Sequence, residues 1–446
     1  MKHSKISCHL ICIIAFCSFH ISPLLSYENN DGCPGNLKLI QQLNSVLTEA
    51  IVHDGFSPPV ASRIYAYCNV AGYESVYFTD STFLTLSGQL NGFALREETA
   101  GQFKLLNSDV ALITAFCNTA VEFVYRDFIL QQFQDSVLKS YKLCLNENAF
   151  NQSVRYGEEL SKQIVAWAAG DGYRETRNLP KFRPKDTPES WKPTPPMYGD
   201  AAEPWWMKIR PFVLDSSGVF RVKDPIPFST EKSSDFYRQA LATLNAKNQS
   251  DSEQTRIATF WDCNPQKTNV KGHLMFTTRQ LTPGGHWMGV AGTACGMKKL
   301  SLAETAETYA LTSIAIADGF INCWHEKYRT DLIRPETYIN LYIDKLWRPM
   351  LETPLFPEHP SGHSVISAAA SEVLTAKLGE NFAFTDSTEI AFGQGVRSFS
   401  NFEQAADEAA ISRVYGGIHY PHACNEGIML GEKIGRLVLE KIKTRK

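Results

Sequence analysis

Ten of the 22 prolines fall between residues 180 and 227, Pro193, Pro195 and Pro196 among them. Proline lacks the amide donor that helices and sheet ladders need, and its ring obstructs a helix interior, so this stretch is extended and irregular. Regular structure must therefore be built on either side of it. Trp191, Tyr198, Trp205 and Trp206 inside the stretch predict that it packs against the body of the protein.

Both flanks carry apolar residues at three- and four-residue spacing. Before the prolines, Leu37 to Gly170 reads as mostly helical: strongly over Asn107–Phe133 and Tyr156–Ala169, weakly over Gly88–Arg96. After them, helices are expected at Ser229–Ala246, Ser252–Trp261, Leu302–Thr330 (ending before Pro335), Gly362–Lys377 and Glu426–Lys441. No strand alternation or internal repeat stands out. The fold class is all-α, made of helical bundles. The expected division is 1–26 as a signal peptide, 27–180 as an N-terminal helical region, 181–228 as the packed Pro-rich segment and 229–446 as a C-terminal helical domain. Between helices lies Pro283-Gly-Gly-His-Trp-Met-Gly-Val-Ala-Gly. Its glycines lack the GxGxxG order, which argues against a nucleotide loop.

The first 26 residues read as an export signal. Lys2 and Lys5 precede an apolar stretch, Leu10 to Leu25, which Ser18, His20 and Pro23 interrupt too often for a membrane span. Cleavage is expected near Ser26; bulky Phe16 argues against a lipid anchor at Cys17. The protein is thus expected to be secreted or periplasmic, with no membrane span and an open oligomeric state. Signal removal takes away two lysines and no acid, leaving 42 basic against 47 acidic residues and moving the net charge from −3 to −5. Such a balance excludes nucleic acid as the main partner. Any bound anion needs a local cluster of donors.

Eight cysteines remain after the signal, Cys33, Cys68, Cys117, Cys144, Cys263, Cys295, Cys323 and Cys424, and their pairing is open. No CxxC supports a zinc-thiolate centre. Asn151 and Asn248 begin glycosylation sequons.

Three stretches carry the chemistry. In Lys327-Tyr-Arg-Thr-Asp-Leu-Ile-Arg334-Pro335 the two cations are seven residues apart, close to two helical turns, so both are expected on one helix face. In Phe356-Pro-Glu-His-Pro-Ser361-Gly362-His363 a proline, a hydroxyl and a glycine open an amphipathic helix. The first turn of a helix offers free N–H groups and positive dipole, and Gly362 lets an anion approach the backbone. Ser412-Arg413-Val-Tyr-Gly-Gly-Ile-His419 adds a guanidinium fork and an imidazole. Taken singly, each stretch could be a solvated face or a capping turn. Taken together they match the donor demand of a buried tetrahedral oxyanion.

The pattern KxxxxxxRP, PSGH and SRxxxxxH resembles the superfamily of vanadium-dependent haloperoxidases and type 2 phosphatidic acid phosphatases. The resemblance spans Lys327 to His419, and reaches more weakly to Arg63-Ile-Tyr-Ala-Tyr and Phe260-Trp-Asp-Cys-Asn-Pro. It implies that Lys327, Arg334, Ser361, the Gly362 amide and Arg413 hold vanadate or phosphate. His419 would ligate vanadium or attack phosphorus, and His363 would be the acid–base group. Trp324 and Phe356 fall where chloroperoxidase-type members place pocket aromatics. One departure matters: many members carry Asp four residues after the last histidine, where this chain has Ala423. Control of the imidazole tautomer must then come from elsewhere.

Two chemistries suit one pocket. A haloperoxidase with vanadate as cofactor oxidises halide with hydrogen peroxide; an acid phosphatase cleaves a phosphoester through a phosphohistidine. The lack of a membrane span, the chain length and the pocket aromatics favour the haloperoxidase. Three other readings are weaker. His359 and His363 share HExxH spacing, but Pro-Ser-Gly between them breaks the helix a zinc site would need. A pure phosphate-binding protein would not need two histidines. Ser361 lacks the GxSxG elbow of a serine hydrolase. His422 is expected in an exposed loop, and Glu326 and Glu358 behind the site or at the surface. Asp318 is expected either to pair with a site cation or to lie at the surface.

Overall fold

The computed structural model describes residues 26–28, 33–36, 38–96 and 106–446, so all of the expected signal segment except Ser26 lies outside it. The fold is all-α, as expected. The helices are α1 (Leu39–Asp54), α2 (Pro58–Glu74), α3 (Ser108–Ala120), α4 (Asp127–Cys144), α5 (Glu147–Ala169), the single turn α6 (Tyr173–Thr176), α7 (Asp235–Asn248) and α8 (Ser252–Phe260). They continue with α9 (Pro283–Lys298), α10 (Leu302–Thr330), α11 (Pro335–Tyr342), α12 (Gly362–Leu378), α13 (Phe402–Tyr415) and α14 (Pro421–Lys441). Three small antiparallel strand pairs decorate them: β1 (Ser26–Glu28) with β2 (Pro34–Asn36), β3 (Gln266–Lys271) with β4 (Leu274–Arg279), and β5 (Phe384–Asp386) with β6 (Arg397–Phe399).

Helix α10 is the central post. It is buried along nearly its whole length, from Ala303 to Lys327, and packs on α2, α12 and α14. Its start is fixed by a capping box: Ser301 accepts from the Glu304 amide while the Glu304 side chain accepts from that of Ser301. Helix α14 lies close against α12 because Gly427, Gly431 and Gly435, four residues apart, share one face. A Cβ on Gly431 would sit 2.1 Å from the Val365 carbonyl oxygen, and one on Gly427 2.8 Å from that of Ser361. These glycines bring the start of α12 and the start of α14 together.

Four local expectations need correction. The pattern over 107–133 is two helices, because the Asp54 carboxylate captures the Tyr125 and Arg126 amides and interrupts the ladder. The glycine-rich passage from Pro283 is the helix α9, capped by Thr282. There glycine serves close approach: a Cβ on Gly289 would meet Thr388 at 2.5 Å. The β3–β4 hairpin escapes a pattern search because neither strand has a buried face. Helix α14 starts at Pro421, which occupies its first turn, and not at Glu426.

The Pro-rich segment packs on the C-terminal helices, as its aromatics predict. The Trp191 amide donates to Asp331 O, the Ile333 amide to Glu189 O, and Trp324 Nε1 and the Tyr328 hydroxyl both donate to Ala202 O. Asp318 neither pairs with a site cation nor lies at the surface. It is fully buried and accepts the amides of Phe212, Val213 and Leu214, and burial raises its pKa to about 6. Glu326 is buried too, ion-paired with Arg329 at 2.7 Å. Cys33 and Cys144 form a disulfide, while the other six cysteines among the described residues are free and buried. No helix among the described residues is long and apolar enough to cross a membrane.

Candidate active site

Lys327 occupies the last turn of α10, and its Nζ donates to the carbonyls of Pro357 and Glu358, both at 3.0 Å. The helix ends at Asp331 in the left-handed conformation (φ 49°), and Arg334 lies beyond it in extended backbone. The expectation that one helix face carries both cations is therefore corrected: a reversal of the chain brings Arg334 back. Its Nε donates to Phe356 O at 2.8 Å, and its Nη1 donates to Ile418 O at 3.0 Å and faces His419 Nε2 at 3.1 Å. The Phe356 ring lies 5.0 Å from both Lys327 Nζ and the Arg334 guanidinium carbon.

Ser361 caps α12, its hydroxyl accepting the Ser364 amide, and its own amide donates to Ala423 O at 3.0 Å. Gly362 is the first residue of that helix, where amides lack intrahelical partners. Arg413 sits on the last turn of α13 and donates through Nη1 to Trp261 O. His363 hydrogen-bonds the same Trp261 backbone. After α13, Gly416 and Gly417 (φ +80°) pass so close to Leu351, Trp347 and Pro349 that side chains would not fit, and the chain turns to deliver His419.

The residue that replaces the missing aspartate is Glu358. Expected behind the site or at the surface, it is fully buried, and its Oε1 accepts from His419 Nδ1 at 2.8 Å and from the Tyr420 amide at 2.9 Å. These partners assign the proton to Nδ1 and leave the Nε2 lone pair turned toward Arg334. The pairing links residues 61 apart in the chain, so no spacing rule tied to His419 exposes it. Its visible sign is an acid between Pro357 and the Ser361 turn.

Gly362, His363, Arg413 and His419 line a cavity of about 260 Å³ together with Trp324 and Phe356, whose rings are 4.8 Å apart. Met197 and Ala202 of the Pro-rich segment contribute to the same wall. His359 and His422 stack on each other at 5.4 Å, and His359 Nε2 meets the Lys223 carbonyl. His359 thus bonds away from His363, which removes the zinc-helix arrangement. His422 lies in the first turn of α14, half-buried, and not in an exposed loop.

The electrostatics have one dominant cause. Burial pushes Lys327 down to about 7 and Arg334 to about 10, and lowers Arg413 as well. Burial, reinforced by these cations, holds His363 and His419 well below the usual imidazole range, so both are neutral at pH 7. Glu358 is raised to about 7, again by burial, against the pull of Arg334 and the Tyr420 amide. Around this cavity, among the described residues, the guanidinium nitrogens Arg334 Nη2 and Arg413 Nε are buried donors with no hydrogen-bond partner, and neutral His363 leaves Nε2 as an unpartnered acceptor beside them. An orphaned buried donor costs about 1–3 kcal/mol, and more when charged. Two such charged donors converging on one cavity mark a site built for an anion.

A family profile for the VCPO second helical-bundle domain matches residues 341–445. Among solved structures, the first bacterial vanadium-dependent iodoperoxidase is 42% identical, with the match covering 93% of this chain and 99% of that one at a TM-score of 0.86. The chain belongs to the vanadium-dependent haloperoxidase family. The haloperoxidase fold also extends to the holo and apo forms of a bacterial vanadium-dependent chloroperoxidase. Each is 15% identical to this chain and covers 87% and 86% of it, with 94% of its own length matched and TM-scores of 0.65 and 0.64. No curated protein sequence matches. In this haloperoxidase all seven residues singled out for the oxyanion and its chemistry, Lys327, Arg334, Ser361, Gly362, His363, Arg413 and His419, lie in or directly around one cavity.

Proposed function

We propose that the protein is a vanadate-dependent haloperoxidase that oxidises halide with hydrogen peroxide, with iodide as its principal halide. The observation that carries the reading is the set of buried, partnerless donors around His419. They suit a tetrahedral oxyanion with ionised oxygens, and vanadate fits that description. Arg334 Nη2 and Arg413 Nε would each donate to it, Lys327 would add its charge, and the Gly362 amide and Ser361 hydroxyl would complete the cradle. His419 Nε2 would be the protein ligand, its lone pair aimed by the Nδ1–H bond to Glu358. Bound vanadate supplies the Lewis acidity that activates peroxide toward halide.

The remaining work belongs to the side chains. His363 is neutral and holds an unpartnered Nε2 at the cavity, so it can take a proton from incoming peroxide and return one to a departing oxygen. Trp324 and Phe356 give the cavity a face suited to a large, weakly hydrated anion. The choice of iodide follows the iodoperoxidase at 42% identity. We also propose that the enzyme acts outside the cytoplasm. The Cys33–Cys144 disulfide and the basic, then apolar, N-terminal stretch support this.

Vanadate-reconstituted protein should oxidise iodide in a peroxide-dependent assay, and should cleave p-nitrophenyl phosphate far more slowly. Ester cleavage without peroxide-dependent halide oxidation would move the assignment to a phosphatase.

A further inference from the structure

A second cluster of ligating atoms lies beside the anion cavity and has no part in holding the anion. Cys263 follows α8, His286 is on the first turn of α9, and Glu389 follows β5; all three are buried. Cys263 Sγ is 3.4 Å from His286 Nδ1 and 3.4 Å from Glu389 Oε1, and His286 Nδ1 is 3.0 Å from Glu389 Oε1. On the far side of the ring, His286 Nε2 is 2.6 Å from Asp386 Oδ2.

We propose that Cys263, His286 and Glu389 bind one zinc ion, with Asp386 as the carboxylate that orients the imidazole. Tetrahedral zinc with ligand distances of about 2.0–2.3 Å places its ligand atoms about 3.3–3.6 Å apart. The observed triangle of 3.4, 3.4 and 3.0 Å is nearly that set of edges. A thiolate and an imidazole select a borderline-soft ion over calcium or magnesium. A histidine that turns one nitrogen to its metal hands the other N–H to a carboxylate, as His286 does to Asp386. Three protein ligands leave the fourth position for water. Cys263 also lines the anion cavity, which gives the ion a way in.

The local sequence is arranged for this meeting. Cys263 holds a left-handed backbone (φ 43°) that a residue other than glycine adopts rarely. Gly289, one turn after His286, lets α9 touch Thr388, between the two carboxylates. The Trp261 ring stacks on His286 at 4.4 Å, and its carbonyl receives both Arg413 and His363. Zinc here would pin the segment that positions two anion-site residues. The inference does not depend on which oxyanion that site takes.

The test uses the full mature chain, purified without a metal-affinity step. Elemental analysis should find about one zinc per chain. Cobalt(II) alone, added to chelator-stripped protein, should produce a thiolate-to-cobalt charge-transfer band. The band should vanish in Cys263→Ser and persist in Cys117→Ser, which alters a distant buried thiol. Asp386→Asn should weaken zinc affinity about 10–100-fold. Zinc-free wild type with no cobalt band, or a band that survives Cys263→Ser, would overturn the proposal. If Cys263→Ser does not fold, Glu389→Gln decides: unchanged zinc affinity there is equally fatal.

Discussion

The two halves of the chain each bury an arginine cluster, and the clusters are built on opposite plans. In the N-terminal half, Arg63 Nε meets Asp171 Oδ2 at 2.6 Å, the same oxygen accepts from the Tyr67 hydroxyl, and Arg63 also donates to Ala168 O. Tyr67, Phe123 and Tyr173 surround the guanidinium at 4.6–5.1 Å. That cluster carries its own counter-charge. In the C-terminal half Lys327 and Arg334 share one buried carboxylate, Glu358, already engaged with His419 and Tyr420. The acid that acts most on Arg413, Asp262, is ion-paired with Lys267 at 3.1 Å. Buried cations closed by an internal acid hold a fold together. Buried cations left open await a guest.

The sharpest way to break this contrast is His419→Ala. It should abolish vanadate binding and iodide oxidation while leaving the thermal unfolding midpoint of the anion-free protein close to wild type. Next in size is Asp171→Ala, which strands Arg63 and should cost ~3–5 kcal/mol of stability in denaturant titration. Vanadate affinity of the folded fraction should be unchanged, and a parallel loss of affinity would erase the distinction between the clusters. Arg334→Lys keeps the charge but loses the fork, and should lower kcat/KM for iodide by about 10²–10³-fold. Glu358→Gln keeps the shape but relaxes tautomer control, and should weaken vanadate binding about 10–100-fold, measured by reconstitution.

The smallest expected effect concerns pH. The folded, anion-free protein holds Lys327 near 7 against an ordinary 10.5, so above about pH 7 its amine is neutral. Binding an anion restores the charge and takes up a proton. Affinity should then fall with rising pH, by at most about tenfold per unit for one linked proton. Lys327→Met should flatten that slope relative to wild type across the same titration.

Much of the site was legible because its residues lie in short runs whose types match a single chemical demand. Lys327, Arg334, the Ser361–His363 turn, Arg413 and His419 needed no three-dimensional knowledge beyond the expectation that they converge. Trp324 and Phe356 were readable only through the resemblance to chloroperoxidase-type members, since aromatics near helix ends are ordinarily core. Glu358 was seen but misplaced, since nothing local says that it reaches His419. His286 and its partners, spread from Cys263 to Glu389, are joined only by the tertiary fold. Helix α9 was missed because five glycines argue against helix by intrinsic preference, whereas in the folded chain three of them, Gly285, Gly289 and Gly292, stand where a side chain would collide with a neighbour. The glycine ladder of α14 carried a period of four that could have signalled close packing against α12.

The proline-dense strap contributes Met197 and Ala202 to a chamber whose charged floor comes from the helices beyond it. The strap is pinned to those helices at Trp191, Ala202 and Phe212–Leu214. A substitution between these anchors, at Met197 for example, can therefore reshape the chamber wall while the glycine ladder and the cationic cradle keep their places. The rim that meets an incoming halide and the floor that holds the anion thus belong to different parts of the chain, and the first can be altered without dismantling the second.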